Sequence, residues 1–446
     1  MAYCDAAMNS PAGESPLNSP VTWLSRRCMW GIAIVGPVAF GLSAHSAVAA
    51  TTTYDAGNTP YAGGTIDPGD TVLVNDGATV TGNVVANGTL QINQTGSLTI
   101  SNTISGTGAF SVTNTGTLNL TGTTTALNTV VLDMATSASA GLLQIRSGTG
   151  TLLIGSTGTG TLNISGGNVT NGMCYIANTS GGLGAVTVSS GTWTNTVNLF
   201  VGSGGSGSLN MSGGSVTNNA AYIGNNSSGV GAVTVSGGTW SSSSMGVGFS
   251  GKGTLSVAGG TVINTSGGYV AYQIGSSGTA TISSGTWAGG PELGVGRAGA
   301  GTLNVTGGSV TGSNSSLGLL AGSFGTAAVS SGTWASTGTF VIGGSGTGAL
   351  SVTGGRVTNT SGTLGSGTAG RASVTVSSGA WANSSSLTVG LLGTGTLSLV
   401  GGSVTNTSGT LGSGTTGRGT ATVSGGTWAS SGALTIGGSG GGLLVV

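Results

Sequence analysis

Few side chains in this chain can do acid–base or metal chemistry. The only histidine, His45, lies in an N-terminal stretch with the pattern of an export leader. Beyond residue 49 the acids are Asp55, Asp67, Asp70, Asp76, Asp133 and Glu292, and the bases are Arg146, Lys252, Arg297, Arg356, Arg371 and Arg418. From residue 147 onward there is one carboxylate, Glu292, and no imidazole. Glycoside hydrolysis needs two facing carboxylates, and general acid–base work usually needs His, Glu, Asp or Lys within reach. Zinc calls for His and Cys clusters. Calcium calls for several oxygens, usually with carboxylates. Asp67, Asp70 and Asp76 are the one group spaced closely enough to suggest calcium, and ordinary turn acids fit them as well. The expectation is a protein with no catalytic, cofactor or metal residues.

Three other features suggest chemistry. Residues 246–253 read GVGFSGKG, close to a phosphate-binding loop, but Gly253 stands where Ser or Thr should hold magnesium and no helix pattern follows. Arg371 and Arg418 occupy equivalent places 47 residues apart. They could touch an anionic glycan or simply be solvated. The bases balance the acids with no basic stripe, which argues against a nucleic-acid partner. Cys174 is the only cysteine beyond the leader and takes the slot of Ala221 one unit later, so it reads as a small core residue, and no disulfide framework is possible.

The elements behind these residues follow from a period. Trp193, Trp240, Trp287, Trp334, Trp381 and Trp428 stand 47 residues apart, which means a unit copied in tandem. Each unit has two similar halves, such as GTLNVTGGSV and GAVTVSGGTW. The glycines align the tryptophans with Val169, Val216, Val262, Val310, Val357 and Val404. The step is therefore 23 or 24 residues.

Within a step, apolar residues alternate with Thr, Ser and Asn, as in Leu162/Ile164 and Leu350/Val352. Period two means strands with one face buried, and Gly-rich corners bound them. Three short strands and three corners make one coil of an all-β parallel β-helix, stacked at roughly 4.8 Å per coil. The twist of βxβ connections favours a right-handed one. Twelve coils over residues 147–428 give a rod on the order of 60 Å long. Residues 268–274 read as carrying about four extra residues before an Ile274–Gly275 step, with the next turn shortened to match.

Composition agrees. Gly is 94 of 446 residues and charge is 4%, yet hydrophobic residues are 37% and net charge is zero, which is not the profile of disorder.

The leader has Arg26 and Arg27 before an apolar run at 29–42, then Ala47, Val48 and Ala49 as a cleavage site. The run is too short for a good membrane span. It is an extended signal peptide over 1–49, unless translation starts at Met8. Ser25, Arg26 and Arg27 hint at twin-arginine export in a poorly matching context.

Residues 50–146 are expected to form an N-terminal cap, polar over 54–76, and irregular coils. Residues 147–428 form six repeats, begun by Arg146 in the tryptophan phase, and 429–446 form an incomplete seventh. Stopping mid-coil suggests a truncated product or a subunit completed by something else.

The repeat GTLSVAGGTV…IGSSGTATISSGTW resembles one shared by type V secretion (autotransporter) passengers and PEP-CTERM-associated exported proteins. The resemblance covers about residues 150–440. The stretch ISGTGAFSVTNTGTLNLTG (104–122) resembles the autotransporter-associated strand repeat. The resemblance implies a bacterial surface or secreted β-helical passenger active in adhesion or biofilm, with host or matrix glycans or other surface molecules as partners. It brings no catalytic residues. Neither a membrane β-barrel nor a PEP-type tail is present in the sequence, so a periplasmic location is expected if the chain ends at 446.

The leading expectation is thus a non-enzymatic surface stalk or adhesin-like passenger. The alternative is a module binding glycan or ice on a Trp or Thr face, with the tryptophans either an interior ladder alternating with valine or an exposed aromatic stripe. A polysaccharide-cleaving β-helix is the remote third class, since fold alone would allow it.

Overall fold

The computed structural model describes residues 49–56, 60–94, 97–113, 117–120, 123–127, 129–132, 135–138, 142–145 and 150–446. All but the last residue of the expected leader lies outside them, with Cys4, Cys28 and His45, and so do Asp133 and Arg146. The described residues form strands and turns without a helix, and the strands pair in parallel throughout. The fold is a parallel β-solenoid.

One coil shows the logic. Its first strand is Ala300–Val305, its second Ser309–Gly312 and its third Asn314–Leu317. The next coil repeats them as Phe324–Val329, Thr333–Ser336 and Thr339–Ile342. Like positions stack: Leu303 on Ala327, Val310 on Trp334, Leu317 on Ile342. Burial alternates along Ala300–Val305, with Gly301, Leu303 and Val305 inside. Alternation sends every second side chain inward, so one apolar column runs along the stack.

At the corner after each third strand a residue takes a left-handed backbone: Gly248 (φ 71°), Ala271 (59°), Gly296 (66°), Gly318 (64°) and their counterparts. At Gly296 a Cβ would collide with the carbonyl oxygen of Phe324 in the next coil, so glycine is needed for close approach as well as for φ. Ala177 and Ala271 hold this position against the steric preference of L-residues.

Two expectations are corrected here. There is no insertion at 268–274. Val270 pairs with Val247 below and Val295 above, and Ala271 is the corner residue. Ile274 is 86% exposed at the tip of the following turn, where an apolar residue mimicked a core step. Turn length alternates instead: corners 271–276 and 318–323 are long, and 248–251 and 296–299 are short.

Nor is 54–76 a cap laid over the first coil. Thr51–Tyr54 pairs with Thr71–Val74 and Gly64–Ile66 with Val84–Ala86, so the segment is wound into the same stack. At the other end, Gly441–Val445 continues the first-strand row, with Leu444 on Ala421.

Candidate functional site

The tryptophans are structural. Second strands place them in one row, Val169–Trp193–Val216–Trp240–Val262–Trp287, which continues through Val310, Trp334, Val357, Trp381 and Val404 to Trp428. Trp193, Trp240, Trp287, Trp334 and Trp381 are fully buried, and Trp428 is partly so. The exposed aromatic stripe is therefore excluded, because alternation turns these positions inward.

The third strand explains why the unit is two coils rather than one. Opposite each valine its inward position holds a small residue: Cys174, Ala221, Gly268, Ser315, Gly362 or Gly409. The indole of the next coil leans over this gap. A Cβ on Gly268 would come within 2.8 Å of Cζ2 of Trp287, and one on Gly362 within 2.9 Å of Cζ2 of Trp381. Each tryptophan thus fills space in two coils, so large and small coils must alternate.

The indole N–H also reaches back. It donates to Asn171 from Trp193 (2.9 Å), to Asn218 from Trp240 (2.7 Å) and to Asn264 from Trp287 (2.7 Å). It donates to Asn359 from Trp381 (2.7 Å) and to Asn406 from Trp428 (2.6 Å). Where Gly312 replaces the asparagine, Trp334 uses the Ser315 hydroxyl at 3.2 Å. This buried polar row was legible as asparagine two residues past the valine, a position the apolar alternation alone left unremarked.

The other singled-out residues do not make sites. Residues 246–253 form a strand end, a four-residue corner and the start of Lys252–Val257. Among the described residues no three His, Cys, Asp or Glu come together, so Asp67, Asp70 and Asp76 are not assembled for calcium. Asp70 accepts from the Ala50 amide, and its own amide donates to the Asp67 carbonyl, as turn acids do. Arg371 and Arg418 are exposed in one row with Thr394 between them. Cys174 is fully buried, and burial pushes its thiol pKa well above 9.0.

The feature that sequence reasoning missed is on the outside of the third strands. One outward row runs Tyr175, Phe200, Tyr222, Gly246, Tyr269, Gly294, Ser316, Val341, then Thr363, Thr388, Thr410 and Thr435. Tyr175 and Phe200 stack at 4.5 Å, and Phe200 and Tyr222 at 5.1 Å. Gly246 interrupts the row, and Phe249 folds back from the corner over it, 3.0 Å from where a Cβ would stand. Phe249 meets Tyr222 edge-on and stacks on Tyr272, which Tyr269 meets edge-on. Arg297 caps the Tyr272 ring at 4.5 Å.

Rings turned perpendicular to one another enclose space. A cavity of about 420 Å³ opens among Tyr222, Ser244, Gly246, Phe249, Tyr269 and Gln273. A second, of about 400 Å³, is lined by Glu292, Asn314, Ser316 and Val341 but not by Tyr269, and Ser266 borders both. The Tyr269 hydroxyl donates to Glu292 Oε2 at 2.9 Å. Burial first, then this hydrogen bond, push the phenol pKa from 10.0 up to about 12, so it stays a donor. The Ser316 hydroxyl is buried and has no hydrogen-bond partner.

No protein-family model, curated protein or solved structure matches this chain. A paired-carboxylate mechanism cannot be built at Glu292, the only acid of the repeats. What the cavities offer is ring faces, hydroxyls and one carboxylate.

Proposed function

We propose that this chain is an exported, non-enzymatic β-solenoid that serves as a surface stalk or adhesin-like passenger in adhesion or biofilm. The observation that supports this most is how the repeats use their side chains. Inward positions fill a continuous apolar column, while outward positions are mostly Ser, Thr, Asn and Gly. Such a fold gives length and repeated exterior surface, and titratable groups on that surface are sparse. The leader pattern and the resemblance of the repeat to secreted passengers point the same way.

The test has two parts. Residues 1–49 fused to alkaline phosphatase, which is active only after export, should yield activity. Antibody to the array should label intact cells of the producing strain, and deleting the gene should reduce attachment. A cytoplasmic reporter, or a protein absent from the exterior with unchanged attachment, overturns the reading.

A glycan-binding role is the second reading. Its tryptophan version fails on burial, but the exterior aromatic row supplies a different surface for it.

A further inference from the structure

We propose that the aromatic cavity beside Tyr269 and its neighbour, which share Ser266, bind a linear, neutral oligosaccharide, with one pyranose ring in each cavity. The inference rests on the surface-binding reading and names its ligand class.

Four observations converge. Volumes of about 420 and 400 Å³ fall in the range of small-ligand sites. The first cavity is neutral and mixed, with ring faces from Tyr222, Phe249 and Tyr269 beside Ser244, Ser266 and Gln273. A pyranose has the matching character, with C–H faces that lie on aromatic rings and hydroxyls around its rim.

The Ser244, Ser266 and Gln273 side chains form no hydrogen bond among the described residues, so their donors and acceptors are free for a ligand. Finally, Glu292 lines only the second cavity, where it would repel polyanions and accept from sugar hydroxyls. A quaternary ammonium, the other ligand that aromatic boxes favour, would want a carboxylate against the first cavity, which has none.

Cellohexaose, xylohexaose and maltohexaose are titrated separately into the purified full-length chain by calorimetry, to roughly 10 mM, ten times a Kd of about 1 mM. Tetramethylammonium is run in parallel. At least one hexasaccharide should bind saturably. Tyr269→Ala and Phe249→Ala should each weaken it about tenfold, the loss of one ring contact.

Unshifted emission from the buried tryptophans shows that each variant is folded. No saturable binding by any of the three sugars overturns the proposal. So does binding unchanged by Tyr269→Ala and Phe249→Ala, which would move the sugar to another face and leave the adhesin reading standing. Tetramethylammonium binding lost in Tyr269→Ala, without sugar binding, replaces the sugar with a cation. Failed export or attachment with intact sugar binding would sink the surface role alone.

Discussion

The tryptophan–asparagine pairs are the sharpest place to test how the interior is held. Asn359 accepts from the Trp381 indole at 2.7 Å and donates to Asn383 Oδ1 at 2.6 Å, and all three residues are buried. Asn359→Leu keeps the volume but orphans the indole N–H and the Asn383 oxygen. Each buried orphan costs about 1–3 kcal/mol, and the added apolar burial returns about 1 kcal/mol. The expected loss for the two orphans is about 1–5 kcal/mol.

Trp381→Phe removes the N–H itself, so adding it to Asn359→Leu should cost less than the sum of the two. The coupling should be about 1–2 kcal/mol, within the range seen for contacting pairs. Urea denaturation followed by tryptophan emission measures all four corners of the cycle. A loss below about 0.5 kcal/mol for Asn359→Leu, or additivity within about 0.5 kcal/mol, would show that packing rather than the hydrogen bond fixes the indole.

Three further outcomes are expected. Ala271→Gly should raise stability by about 0.5–1 kcal/mol, because about 1–2 kcal/mol of left-handed strain exceeds about 0.4–1 kcal/mol of added chain entropy; a lower melting temperature would contradict the φ of 59° at Ala271. Cys174, buried with a raised pKa, should resist iodoacetamide at about pH 8.5 until denaturant opens the stack. Site-resolved mass spectrometry reads this, and fast labelling of the native protein would place the thiol outside the core. The Tyr269 pKa is raised on folding, so its stabilising contribution is complete below pH 10.0 and lost as pH climbs to about 12. A difference titration at the phenolate absorbance against Tyr269→Phe should show one late-ionising tyrosine, and ordinary ionisation near 10.0 would refute the burial of the phenol together with its Glu292 contact.

Much of the fold was legible because a solenoid is a local code. Alternation in a segment such as Ala300–Val305 names the buried positions, and the tryptophan period names the unit. Ile274 misled because a six-residue turn can carry an apolar residue beside glycine, and only pairing shows that Val270 holds the rung. The candidate site was less legible. Tyr175, Phe200, Tyr222 and Tyr269 each stand between two inward residues of a third strand. Reading aromatics out of phase with the core, rather than in phase with it, would have found their row.

The sequence by itself determined what repeats along the axis: coil length, the apolar alternation that marks inward positions, and that the repeats contain a single carboxylate. Those properties depend on neighbours a few residues apart or one period apart. The tertiary structure decided what happens between coils. It buried the tryptophans by setting each beside a small residue such as Gly362, and it paired all their N–H groups but that of Trp334 with asparagines 22 or 23 residues earlier. It also folded Phe249 back over Gly246 to open a cavity beneath Tyr269. Such contacts depend on side-chain volume and ring orientation across strands, which a one-dimensional period does not carry.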